Sequence, residues 1–131
     1  MSVWHGDMRK KKSSGGRKRA YRKKRRSELG SFPTETTLGE LKRKTKKERG
    51  GSQKLKLLGG KQVCVTDPKT GKTERVEITR VAKNPANVDY DRRGVITKGA
   101  IVETPSGLAR ITSRPGQDAV LNALLIRDEK S

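Results

Sequence analysis

Eighteen residues, Arg9 to Arg26, hold twelve Lys or Arg and no acid (RKKKSSGGRKRAYRKKRR). The chemistry open to such a run is phosphate binding. Guanidinium groups grip phosphate in bidentate fashion and stack on bases, while ammonium groups act as point charges. Only Ala20 and Tyr21 offer apolar surface within the run. Like charges repel and nothing offsets the entropy of ordering, so the run stays disordered or meets a polyanion. Nucleic acid is the densest such partner, and release of its condensed counterions drives binding. Ser13, Ser14, Gly15 and Gly16 split the run into two clusters, where small residues let the backbone bend and approach phosphates. A solvated charge run or a targeting signal is the other reading. The charge excess continues past this stretch and weighs against it.

A second basic segment comprises Lys42, Arg43, Lys44, Lys46, Lys47 and Arg49, with one acid among them. Arg92, Arg93, Lys98 and Arg114 lie in or beside expected loops, where binding residues commonly sit; a solvated turn residue is the alternative for each. The candidate nucleic-acid-binding set is therefore Arg9, Lys10, Lys11, Lys12, Ser13, Ser14, Gly15, Gly16, Arg17, Lys18, Arg19, Tyr21, Arg22, Lys23, Lys24, Arg25 and Arg26, then the second segment, then these four loop residues. Trp4, Tyr21 and Tyr90 are the aromatics, apart from Phe32, that could stack on bases. Trp4 could equally anchor the N-terminus. With so few rings, recognition of shape and phosphate is expected rather than base-specific reading of single strands.

Other chemistries fail on residue type or spacing. Gly71-Lys72-Thr73 looks like the tail of a phosphate-binding loop, but Thr66 stands where the first glycine belongs and the context is a hairpin. One His (His5) and one Cys (Cys64) supply neither a zinc site, nor a disulfide, nor a Ser-His-Asp triad. Asp67, Asp89, Asp91 and Asp118 sit in turns, where capping explains them. An enzyme, a metal and a cofactor are not expected. A membrane-lying helix wants large apolar residues beside its cations, and Gly15-Gly16 would break it. No apolar run reaches the length of a membrane span and no signal-peptide core follows the first residues. A soluble, cytoplasmic chain is expected, with no membrane and no small-molecule substrate.

The elements that must position these cations divide by charge. Residues 1–60 carry 20 basic and 5 acidic residues; residues 61–131 carry 13 and 9. That asymmetry suggests a nucleic-acid-binding extension on a compact module, divided as 1–50 and 51–131. Thr37 to Glu40 has the spacing of a capping box, and a short helix could follow through Lys47, though the segment has no apolar face. From Gln53 the pattern turns to period two. Leu55 and Leu57 alternate with Lys54 and Lys56, and Val63 and Val65 flank Cys64, which reads as a small buried hydrophobe. Asp67-Pro68-Lys69-Thr70-Gly71 is a hairpin turn leading to Val76 and Ile78. Val81 is out of register with them, which suggests a bulge near Thr79-Arg80. Asn84 to Gly94 is a polar loop. Ala100–Glu103 and Leu108–Thr112 form a second hairpin, and Arg114-Pro115-Gly116 is a turn. Val120–Ile126 is apolar on both faces; periodicity does not choose strand or helix, but its length and the strands before it favour a strand. Five or six short strands joined by Gly and Pro turns indicate a small barrel or sandwich with a thin aliphatic core. A module this small is marginal alone, and RNA or neighbouring proteins would add stability by linkage.

Several motifs then fall in one order: Ser14-Gly15-Gly16-Arg17; Glu35-Thr36; Gly50-Gly51; Asn84-Pro85-Ala86-Asn87 before Tyr90 and Arg92-Arg93; ITKGAI at 96–101; Glu103-Thr104; ARITSRPGQD at 109–118; and Asn122-Ala123. Together they resemble the archaeal and eukaryotic small-subunit ribosomal protein family S8e, over nearly the whole chain. Trp4-His5-Gly6-Asp7 is a looser match. The large insertion of eukaryotic members is absent, which fits the archaeal form. The resemblance implies a mostly β fold: a small antiparallel β-barrel with a long, basic, extended N-terminal arm. It implies small-subunit ribosomal RNA and neighbouring ribosomal proteins as partners, and a structural role in the small subunit. The alternative is a general nucleic-acid-binding or RNA-chaperone protein outside the ribosome.

Overall fold

The computed structural model describes residues 3, 4, 6, 8 and 10–126. Two compact units divide between Pro33 and Thr34, ahead of the 50/51 boundary expected from charge. Cations thin out after Gly50, but strands begin to pair well before it.

In the first unit, β1 (Val3–Trp4) pairs antiparallel with β2 (Leu29–Gly30), Trp4 opposite Leu29. This pairing joins the two ends of the basic run, so the described residues form a closed loop rather than the extended arm expected. A second closure lies inside it. Lys11 bridges Arg17, the Gly15 N–H donates to the Lys12 carbonyl at 2.9 Å, and the Lys12 N–H donates to the Gly16 carbonyl at 2.9 Å. Gly15 has φ 80°, a conformation glycine adopts without a side-chain clash. The loop closes around Glu28, an acid just beyond the basic run.

The second unit holds a two-stranded ribbon and a six-stranded sheet. The ribbon is β3 (Lys42–Lys47) against β4 (Gln53–Gly59), joined by a 3-10 turn over Arg49–Gly51. The sheet comprises β5 (Gln62–Thr66), β6 (Thr73–Glu77), β7 (Arg80–Lys83), β8 (Ile101–Thr104), β9 (Gly107–Ile111) and β10 (Asn122–Leu125), in the order β6-β5-β10-β9-β8-β7. Every pairing in it is antiparallel except β5 with β10, which run parallel. The fold is mostly β as expected, but its sheet is mixed.

β6 and β7 follow each other in the chain yet lie at opposite sheet edges, with only Ile78 and Thr79 between them. So short a link is possible only if the sheet curls. The corner is tied at both ends: Ile78 N–H donates to the Lys61 carbonyl at 2.8 Å and Thr79 N–H to the Glu103 carbonyl at 2.9 Å. The result is a curled half-barrel. Val81 is out of register because it belongs to a separate strand; the irregularity itself lies between Val81 and Lys83.

Period-two alternation fills the core. Val63, Val65, Val102, Ala109, Ile111 and Ala123 are all buried and join Leu57, Ile78, Ile96 and Leu121 in one aliphatic cluster. Each large member contributes about 1.5–3 kcal/mol by leaving water. Cys64, between Val63 and Val65, is half-exposed. Alternation turns it to the opposite face, so it is not the buried hydrophobe expected.

Two further expectations change. Lys42–Lys47 is a strand, not the end of a helix. Thr37 does not cap one; its N–H donates to the Leu58 carbonyl at 3.1 Å. With no apolar helical face to bury, the segment satisfies its backbone by pairing with β4. The polar loop at 84–94 contains α1 (Val88–Arg92), where the Asn87 side chain accepts from the Asp89 N–H at 2.9 Å, a standard N-cap. A second short helix, α2 (Pro115–Asp118), occupies the turn expected after Arg114.

Candidate nucleic-acid interface

In the N-terminal unit, Lys10, Lys11, Lys12, Ser13, Ser14, Gly15, Gly16 and Arg17 are all exposed, gathered about the Gly15 turn. Arg19, Tyr21, Lys23, Lys24, Arg25 and Arg26 are exposed as well, and Lys18 is half-buried. Arg9 and His5 lie outside the described residues.

Arg22 serves inside the unit. Its two terminal nitrogens hold both Glu28 oxygens, one of them at 2.9 Å, and its Nε donates to the Tyr21 hydroxyl at 3.1 Å. Glu28 also accepts from the Trp4 indole N–H at 3.2 Å and the Arg25 backbone N–H at 3.2 Å. These donors, Arg22 first and the Arg25 amide next, hold the Glu28 carboxyl down at about 2, from an ordinary 4.5. Glu28 in turn raises Arg22 above its usual value. A fork-to-fork pair of this kind fixes geometry as well as charge. It ties the run to the strand that closes the loop.

In the second unit, Lys42, Arg43, Lys44, Lys47 and Arg49 are exposed and Lys46 is half-buried. The ribbon register sets Lys44 opposite Lys56 and Lys46 opposite Lys54. Directly opposed residues share a face, so four lysines line one side of the ribbon. Lys54 also pairs with Glu48 at 3.4 Å. Lys54 and Lys56 were not among the residues singled out from sequence. Their signal was present: both alternate with leucines, directly after a basic run. Finding it required reading Gly50-Gly51 as a turn between two paired strands.

The loop cations divide. Arg93 is held by both Glu35 oxygens at 2.6 and 3.1 Å, by Asp89 at 2.9 Å, and lies over the Tyr90 ring at 5.6 Å. Its hydrogen bond lowers Glu35, and Glu35 and Asp89 raise Arg93. Arg93 therefore braces the segment before Thr36 against α1. Arg92 pairs with Asp89 at 2.8 Å from an exposed position. Lys98 and Arg114 are exposed, and the Arg114 backbone N–H donates to Asp118 at 3.3 Å.

The motif residues that carry the family resemblance are largely structural. Ile96, Ala100, Ala109 and Ile111 are at most 1% exposed, and Pro115 is buried. Asn84, also buried, donates to the Val95 carbonyl at 2.7 Å and accepts from the Ala86 N–H and the Thr97 hydroxyl at 3.0 and 3.1 Å. The model of the ribosomal protein S8e family matches residues 5–126. The chain belongs to that family. It is a family of ribosomal proteins, not of enzymes. Among archaeal relatives, the small ribosomal subunit protein eS8 of Methanobrevibacter smithii is 52% identical over 113 residues, covering 86% of this chain and 90% of the relative. The eS8 protein of Methanospirillum hungatei is 47% identical over 88% of this chain and 93% of its own, and that of Methanocorpusculum labreanum 46% over 95% and 98%. The match thus spans at least 90% of each of these archaeal relatives. Among the described residues, no helix is long and apolar enough to cross a membrane.

Proposed function

We propose that this protein is a structural constituent of the small ribosomal subunit, resident in the cytoplasm within the ribosome. It binds small-subunit ribosomal RNA and packs among neighbouring ribosomal proteins. Membership of the S8e family carries this reading, and the naming of its relatives as small-subunit proteins supports it. The RNA-binding extension expected over residues 1–50 acts as two surfaces, the N-terminal loop and the lysine face of the ribbon. Lys98 and Arg114 add loop contacts. Arg22 and Arg93 orient their surroundings rather than meeting phosphate first.

The test is binding of the full chain to a small-subunit RNA fragment across a salt series, compared with duplex DNA of equal charge. With six to ten phosphates engaged, affinity falls roughly 10³–10⁵-fold between 50 and 200 mM salt. Replacing Lys23, Arg25 and Arg26 together by Ser, with Arg22 kept, weakens RNA binding while the circular dichroism of the β unit stays unchanged. A flat salt response, or equal preference for duplex DNA, refutes the proposal.

A further inference from the structure

The N-terminal unit carries an open cleft of about 440 Å³, within the range of pockets that take small organic groups. Two aromatic rings border it, Trp4 and Tyr21, together with the cations Lys12, Lys18 and Arg19 and the carboxylate of Glu28. Rings beside cations match a nucleotide: a ring face stacks on the base, and ammonium or guanidinium groups meet its phosphate. We infer that this pocket receives one unstacked nucleotide of the RNA strand. The inference rests on the proposed RNA-binding function and adds to it a ligand class that the scarcity of aromatics argued against.

The pocket is built rather than incidental. Trp4 is fixed on three sides. Its backbone pairs with Leu29 across β1 and β2, its indole N–H donates to Glu28, and a side chain on Gly6 would collide with the indole. Only a bare backbone fits beside that ring. The Lys24 ammonium lies over the Trp4 ring at 5.9 Å, and the Arg22 guanidinium over the Tyr21 ring at 5.2 Å. Glu28 does not make the pocket anionic, because Trp4, Arg22 and the Arg25 amide already engage it. With Arg22 over it, Tyr21 is still 88% exposed, a ring largely open to solvent in the middle of a polycation. Exposed rings among cations serve as base-stacking platforms. The occupant comes from a strand because exposed cations flank Tyr21 on both sides in the chain, Arg19 before it and Lys23, Lys24, Arg25 and Arg26 after it, and these suit backbone phosphates.

Trp4 is the only tryptophan in the chain, so its fluorescence reports the pocket directly. The full chain is titrated with three probes: an RNA hairpin with a single bulged adenosine, the same hairpin fully paired, and free adenosine monophosphate. The bulged hairpin is expected to quench Trp4 more strongly than the paired one, with no quenching by the free nucleotide at equal concentration. Tyr21→Ala leaves the pairing of β1 with β2 in place and should weaken bulge binding roughly 5- to 150-fold, the equivalent of one stacking contact. The loss should be larger on the bulged hairpin than on the paired one, and Tyr21→Phe should restore the bulge preference. Equal quenching by both hairpins, or a Tyr21→Ala variant that keeps its bulge preference, overturns the pocket while leaving RNA binding intact. Quenching by the free nucleotide as strong as by the bulge overturns the strand assignment. Failure of the wild type to bind either hairpin overturns the RNA-binding reading as well.

Discussion

Replacing Lys44 by glutamate sets the stability of the ribbon against its binding. Lys44 stands opposite Lys56, and the next pair on that face is Lys46 with Lys54. Two unit charges about 6 Å apart in water repel by roughly 0.7 kcal/mol, and salt screens part of that. In Lys44→Glu the repulsion becomes attraction. The swing is about 1 kcal/mol, at the upper end of what exposed cross-strand charge pairs contribute. For a domain of this size that raises Tm by roughly 4–8 °C at low salt. The same change removes a cation from the proposed RNA face. The slope of log affinity against log salt should shrink by about 0.7–0.9 for each phosphate that the variant no longer neutralises. Thermal unfolding followed by circular dichroism reads the first effect, and a salt series of RNA anisotropy titrations reads the second. The signature is opposite signs: a more stable protein that binds RNA less well. A variant that melts lower and binds RNA with an unchanged slope would show that these lysines serve the fold, and the reasoning would fail.

Two further outcomes follow from other sites. Glu28 has its pKa depressed from 4.5 to about 2 by Arg22 and the Arg25 amide, so its contribution is fully present above pH 4.5 and is lost as pH falls through 2. Trp4 fluorescence should therefore report opening of the N-terminal loop across that window, and Glu28→Gln should abolish the transition. Asn84→Ala leaves the Val95 carbonyl and the Ala86 N–H without their partner. It should destabilise the β unit by roughly 1–3 kcal/mol for each group left buried and unpaired, read from the midpoint of urea unfolding.

What could be read in the sequence was what neighbouring residues decide. The β5–β6 hairpin was legible because Asp67 organises its turn locally, accepting from the Lys69 N–H at 3.0 Å and the Thr70 hydroxyl at 3.2 Å. The β8–β9 hairpin followed from turn residues and period two, and the strand at β10 from its length and the strands before it, since periodicity did not choose there. What escaped depends on distant partners. β3 has no apolar pattern of its own and becomes a strand only against β4. The parallel match of β10 with β5 leaves no local trace. The cationic character of the interface was legible from composition, but the use of each cation was not. Arg22 and Arg93 look like any other arginine until Glu28 and Glu35 are found beside them, the latter 58 residues away in the chain. The pocket was missed for the same reason: Trp4 and Tyr21 meet at one cavity only because β1 and β2 close the loop.

β10 lies between β5 and β9 in the sheet, yet it follows both in the chain. During vectorial synthesis the sheet therefore cannot grow strand by strand. Until Asn122–Leu125 emerges, β5–β6 and β7–β8–β9 are separate fragments joined through the Ile78–Thr79 corner, with the edges meant for β10 exposed. Unpaired edges of this kind invite mispairing. The cationic loop closes on contacts within residues 3–30 and is complete long before the sheet is. A nascent chain thus presents its cationic N-terminal unit first, and insertion of one central strand locks the rest.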